Sequence, residues 1–342
     1  MTQQTNIFSI ELGAHLDEAG FRHRATAVGA RLGARRIGAG VYDAEAGLPI
    51  WPYHYHYGVE EWLYVIAGAP VLREPAGERA LTPGDLVCFP SGHLGAHTVS
   101  GPGRFLMFST GHEDEPWMSV YPDSDKISGP GGVFPRASAV DYWQGEGTVG
   151  PSSQPVEVVR EPATSPARPV VNVLALALGG RLGPRLGAER LDATVAAIDP
   201  GARSDPYHYT YGREEWLLVL AGTPTVRLPD GERSLAAGDL VCFPEGPAGA
   251  HRLINRSDAA VRALVLSTTG LPANVCHPDT GQWVIHNADE VTAYVEARRG
   301  TVRAVTDPVF RLVAPASALE DAPAGWAREL LRQGEMALAL DA

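Results

Sequence analysis

The stretch Pro52-Tyr53-His54-Tyr55-His56-Tyr57-Gly58-Val59-Glu60-Glu61-Trp62 decides the reading of this chain. In an extended strand successive side chains alternate faces, so His54 and His56 point the same way. A turn at Tyr57-Gly58 brings the next strand alongside and sets Glu61 near both. Gly84 to Pro90 reads as a turn and a short apolar strand that leads to His97. Three imidazoles and a carboxylate from neighbouring strands suit one divalent first-row metal: iron, manganese, zinc, nickel or copper.

The stretch recurs. Adding 154 to a residue number carries Arg31 to Arg185, His54 to His208, Glu61 to Glu215, Gly84 to Gly238 and His97 to His251 without a gap. About two-thirds of the positions from Tyr53 to His97 are identical in the second copy. Such self-similarity marks a repeated structural unit. One difference falls on the ligand set: His56 becomes Thr210.

These residues resemble the cupin family in its two-repeat form, the bicupin. Its first motif is matched by Gly47, His54-Tyr-His56, Glu61 and Gly68, with a spacer after Gly47 one residue longer than usual. Its second is matched by Gly84, Pro90, Gly92 and His97, with four residues rather than two before the histidine. The second copy offers Gly238, Pro244, Gly246, His251 and Asn255. His93 lies nearer Gly92, but its counterpart is Pro247, whereas His97 repeats as His251. The resemblance spans roughly residues 30–130 and 184–285. It implies an all-β fold of two tandem jelly-roll (double-stranded β-helix) barrels, each with its pocket in the barrel mouth.

Composition is compatible with this. The 342 residues accommodate two domains of roughly 150 residues and a tail. A net charge of -12 without a basic run argues against a nucleic-acid surface. No apolar run approaches the length of a membrane span, and Met1 to Asn6 has no secretory pattern, so a cytoplasmic location is expected. Cys88 and Cys242 repeat inside Gly-Asp-Leu-Val-Cys-Phe-Pro and read as buried strand residues; with Cys276 they make no disulfide framework.

Short apolar segments cut by Gly and Pro follow one another from Arg31, as expected of a barrel. Ile7 to Leu12, Trp62 to Ala67 and Arg104 to Thr110 read as strands. Pro-Asp turns at Tyr121-Pro-Asp-Ser-Asp-Lys126 and His277-Pro-Asp-Thr280 mark equivalent loops. The expected organisation is a first barrel over 1–150, ended by Asp141-Tyr-Trp143, a proline-rich linker over 151–169, a second barrel over 170–297 and a tail over 298–342. In the tail, Ser317-Ala-Leu-Glu320 has the form of a capping box and Trp326 to Arg332 can form an amphipathic helix.

The first site is thus expected at His54, His56, Glu61 and His97, holding one divalent metal. A second, weaker site is expected at His208, Glu215 and His251, because a threonine hydroxyl at Thr210 is a poor replacement for imidazole. Alternation turns Tyr53, Tyr55 and Tyr57 away from the histidines, as packing residues, and turns Glu60 and Glu214 outward. Arg73 and Arg227 read as strand surface charges. No residue is identifiable as a catalytic acid or base, and no phosphate loop or nucleophile elbow is present. The resemblance implies a metal-dependent enzyme acting on a small molecule, with an oxygenase or dioxygenase expected first. A decarboxylase or isomerase, and a non-catalytic small-molecule-binding protein, are the alternatives. Two barrels in one chain already resemble a dimer of single barrels, and the chain can pair again as a homodimer.

Overall fold

The computed structural model describes residues 4–111, 116–140, 160, 165–176, 180–270, 273–287, 290–298 and 301–304. Among these, strands dominate. Helix is limited to one turn at Gly183–Leu186 and short 3-10 turns, and none is long enough to cross a membrane. Most of the linker expected over 151–169 lies outside the described residues. So do Asp141-Tyr-Trp143, the capping box at Ser317 and the helix expected over Trp326 to Arg332.

Two large antiparallel sheets organise the chain. The first runs Val170–Asn172, Asp85–Phe89, Glu61–Gly68, Gly103–Ser109, Gly38–Ala44, Phe21–Ala27 and Ala14–Glu18. The second runs Gln4–Asn6, Asp239–Phe243, Glu215–Ala221, Val261–Thr268 and Leu191–Ile198. Three-stranded sheets close each barrel: Thr98–Ser100, Val71–Glu74 and Gly77–Ala80 in the first, and Arg252–Ile254, Thr225–Leu228 and Gly231–Ser234 in the second. A further sheet in the second unit begins at Tyr209–Tyr211 and Ala273–His277 and continues through Glu290–Arg298 to Thr301–Ala304.

Both faces of the large sheets are covered, which explains the unbroken apolar run at Trp62. One face of Glu61–Gly68 sends Leu63 and Val65 into the first barrel, against Phe89, Val99 and Phe105. The other sends Trp62, Tyr64 and Ile66 between the barrels, against Trp216, Leu218 and Leu220. Cys88 and Cys242 lie in that inter-barrel core, as strand burial predicts. Each large side chain there contributes roughly 2–3 kcal/mol by leaving water.

Two features bind the barrels reciprocally. First, each unit lends a strand to the other. The strand expected over Ile7 to Leu12 is instead Gln4–Asn6, and it pairs with Asp239–Phe243 of the second sheet. Val170–Asn172 pairs with Asp85–Phe89 of the first. Each exchange is locked the same way, Asn6 Nδ2 donating to Asp239 Oδ1 at 2.9 Å and Asn172 Nδ2 to Asp85 Oδ1 at 2.9 Å.

Second, Glu60 and Glu214 do not reach solvent, contrary to the expectation from alternation. Each is 1 % exposed. The Glu60 carboxylate accepts the backbone N–H groups of Glu189 (2.7 Å), Arg190 (3.0 Å) and Leu191 (3.0 Å), and its own barrel's Trp62 Nε1–H at 2.9 Å. Glu214 accepts those of Arg35 (2.5 Å), Arg36 (3.1 Å) and Ile37 (3.0 Å), and Trp216 Nε1–H at 3.1 Å. Alternation does place Glu60 on the face of Trp62. That face is covered by the other barrel, so "outward" means the interface.

Candidate metal centre

The first site is assembled at the mouth of the first barrel. His54 and His97 form an antiparallel bridge, with His54 N–H to His97 O at 3.1 Å and His97 N–H to His54 O at 2.8 Å. His56 lies on Tyr55–Tyr57, opposite Ser119 of Met118–Tyr121. Glu61 opens the next strand, opposite Phe89 and Ser109. The turn between depends on Gly58, whose φ is +81° and where a Cβ would stand 2.2 Å from Pro116 O. Only glycine satisfies both demands.

The predicted residues come together. One donor atom from each of His54, His56 and Glu61 falls within 4.8 Å of the others. His97 joins them, with Nε2 3.7 Å from Glu61 Oε2 and its ring centre 4.9 Å from that of His54. Each imidazole is oriented from behind. His54 Nδ1 contacts Pro52 O at 2.8 Å and His97 Nδ1 contacts Gly95 O at 2.9 Å. A carbonyl only accepts, so both Nδ1 atoms carry the proton and both Nε2 lone pairs face the centre. His56 Nδ1 contacts Ser119 Oγ at 2.8 Å. The His97 ring stacks on Phe89, centroids 3.7 Å apart.

This geometry fits a cation. His97 Nε2 is buried with no hydrogen-bond partner. His54 Nε2 and His56 Nε2 are only 3.0 Å apart beside the Glu61 carboxylate, whose Oε2 is 3.2 Å from His56 Nε2. A buried unpaired acceptor and converging lone pairs are costly unless an ion gathers them.

Protonation supports the ligand forms. Burial, with His54 nearby, pushes His97 down to about 3. Burial likewise lowers His54 and takes His251 down to about 4. Burial raises the Glu61 carboxyl, but the His56 hydrogen bond and the neighbouring imidazoles outweigh it and hold Glu61 at about 2. Unfolded histidines titrate near 6.5. Between the folded and unfolded values the unfolded chain binds more protons. The metal-free protein therefore keeps this contribution to stability above about pH 6.5 and loses it as pH falls towards 4. Glu61 acts in the same direction but over a lower window, below its unfolded value of 4.5. Denaturant unfolding with chelator at pH 7.5 and 4.5 checks this, and equal stability at both would contradict it.

Ser119 was not legible as a site residue. It is 3 % exposed and holds the far nitrogen of His56. Supports of this kind are worth about 10–100-fold in metal affinity. Ser119→Ala is expected to lose that much in competition with a chromophoric chelator, and unchanged affinity would show that the hydroxyl does not orient the ring.

The second site repeats the plan with one gap. Donor atoms of His208, Glu215 and His251 lie within 4.8 Å of one another. Their Nδ1 atoms contact Pro206 O at 2.8 Å for His208 and Gly249 O at 2.9 Å for His251. His251 stacks on Phe243 as His97 does on Phe89. Thr210 turns its hydroxyl to Glu215 Oε2 at 3.2 Å.

The remaining expectations divide. Tyr55 packs in a small cluster with Ala96 and Val120, as alternation predicts. Arg73 and Arg227 are more than surface charges. Arg73 pairs with both oxygens of Asp123 and lies over the Tyr53 ring; Arg227 does the same with Asp279 and Tyr207. They tie the two Pro-Asp loops to their barrels, which makes these loops equivalent in space. Tyr42 and Trp51, which enter the cavity beside the first site, have the counterparts Ala196 and Asp205, so the repeat gave no signal for them.

Residues 194–267 match the cupin domain family. The first barrel repeats these strands and their pairings, so the chain carries two cupin barrels in tandem, the bicupin arrangement. No curated protein matches. Among solved structures, a sugar phosphate isomerase of the cupin superfamily from Silicibacter pomeroyi is 27% identical, with 34% of this chain and 73% of that chain covered and a TM-score of 0.33. An oxalate decarboxylase from Bacillus subtilis is 16% identical, with 79% and 78% covered and a TM-score of 0.47. Another structure of that enzyme, described for its Mn(II) centres, is 15% identical, with the same coverage and a TM-score of 0.45. At such TM-scores these likenesses say nothing about what this chain acts on.

Proposed function

We propose that the first barrel is a metal-dependent active site for a small, uncharged organic molecule, and that the chain is an oxygenase. His54, His56, Glu61 and His97 hold one divalent transition metal. Four protein ligands leave one or two positions of a five- or six-coordinate ion free. When bound, the ion supplies Lewis acidity and, if it is iron, a place for dioxygen beside the substrate.

The observation that carries this reading is the cavity beside Glu61 and His54. Its volume is about 300 Å³, and its wall includes Tyr42, Trp51, Met107 and Ser109. Gly38 and Gly40 also line it, and a Cβ on Gly40 would stand 3.0 Å from the Tyr42 ring. Among the described residues lining it there is no Lys or Arg, and no acid besides Glu61. A carboxylate or phosphate substrate would find no counter-charge there besides the metal itself. Among the described residues lining it, a decarboxylase or isomerase would find no second carboxylate to serve as base. The polar groups facing the cavity are few. Burial raises the Tyr42 hydroxyl above its usual range, so it stays protonated and can donate; Trp51 Nε1 is closed off from solvent and has no partner. A neutral donor beside apolar side chains suits a carbonyl, enol or phenol oxygen.

The test is oxygen consumption by the Fe(II)-loaded protein with phenolics, diketones and thiols. Uptake with one uncharged class is expected. Substrate conversion at the same rate without oxygen would overturn the oxygenase reading in favour of a lyase or isomerase.

A further inference from the structure

The second barrel has lost two partners together. In the first, His56 stands opposite Ser119, which holds its ring. In the second, Thr210 stands opposite Val275, which can hold nothing by hydrogen bonding. The same strand supplies an imidazole one step further on. Tyr209 pairs with Cys276, so the next pair in register is His208 with His277. Alternation puts His277 on the face of Val275, which is the face of Thr210 and His208. Its counterpart is Tyr121, which stacks over His54 in the first barrel.

Distances agree. The His277 and His208 ring centres are 6.1 Å apart. A ring centre sits roughly 3 Å from an ion held at about 2.0–2.1 Å, so the separation matches two rings on opposite sides of one ion, at the limit of roughly 6 Å. His277 Nδ1 is buried with no hydrogen-bond partner, while the ring also meets the Tyr207 backbone. The strand end is anchored. The His277 carbonyl accepts Gly281 N–H at 2.9 Å, and the Arg227–Asp279 pair fixes the loop beyond.

We propose that the second barrel binds a divalent metal through His208, Glu215, His251 and His277, with His277 replacing the imidazole missing at Thr210. The site is then a three-imidazole, one-carboxylate set built from a different strand, and it does not depend on the activity proposed for the first barrel.

The test uses the full chain with His54→Ala and His56→Ala together, which leaves the first barrel a single imidazole, and Cu(II) as probe. One equivalent is expected to bind, with three imidazole nitrogens coupled to it in pulsed electron paramagnetic resonance. Adding His277→Phe should reduce the count to two and weaken binding by at least about 10-fold. His277→Gln, closer in polarity, gives the same reading if the phenylalanine variant does not fold. An unchanged nitrogen count and affinity in either variant, or no Cu(II) bound in the chain carrying His54→Ala and His56→Ala, would overturn the proposal.

Discussion

Glu60→Ala lowers the unfolding free energy by about 3–5 kcal/mol, and Glu214→Ala does so by a similar amount. Each carboxylate is the shared acceptor for three backbone N–H groups of the opposite barrel and one indole N–H of its own. Removing it strands four donors in a buried interface. Each unmade bond costs roughly 1–3 kcal/mol, reduced where water enters the space left. Domains have only about 5–15 kcal/mol in total, so either variant is strongly destabilised. Denaturant unfolding of the two variants measures this. A loss under about 1 kcal/mol would mean that the apolar core around Trp62 and Trp216 holds the barrels together without the carboxylates.

His56→Ala weakens metal binding at the first site by more than about 100-fold, since supporting residues alone are worth about 10–100-fold and this residue is a direct ligand. The fold of the metal-free chain should change little, because His56 sits at the barrel mouth with 19 % of its side chain exposed. The consequence is visible in stability. Metal at 100 times its dissociation constant adds about 2.7 kcal/mol to the unmutated chain, and the variant at the same concentration should gain almost none at that site. His208→Ala is the control and should leave the first site's affinity unchanged. Thermal shifts with and without metal report both. An equal gain in His56→Ala would place the ion elsewhere.

The ligand residues were legible because two local rules act on them. Alternation puts His54 and His56 on one face, and the repeat distinguishes His97 from His93. The strands at Trp62 and Arg104 were legible because they are apolar runs bounded by Gly and Pro. What sequence hid depends on which surface meets which. Glu60 and Glu214 follow alternation faithfully, yet nothing local says that their face is covered by the second barrel. Their retention in both copies was the available signal. The exchanged strands Gln4–Asn6 and Val170–Asn172 are three residues long and draw their pairing from the partner unit, so no local pattern specifies them. Ser119 and His277 lie past a change in spacing between the copies, where the offset of 154 becomes 156, and their roles emerge only from cross-strand register.

X-ray absorption at the metal edge of the reconstituted His208→Ala chain tests most directly whether the first barrel holds an open metal centre. One ion with three imidazoles and one carboxylate, and a total of five or six light-atom neighbours, is the expected result. A closed four-coordinate tetrahedron would make the ion structural, and failure to retain any ion would contradict the metal centre itself.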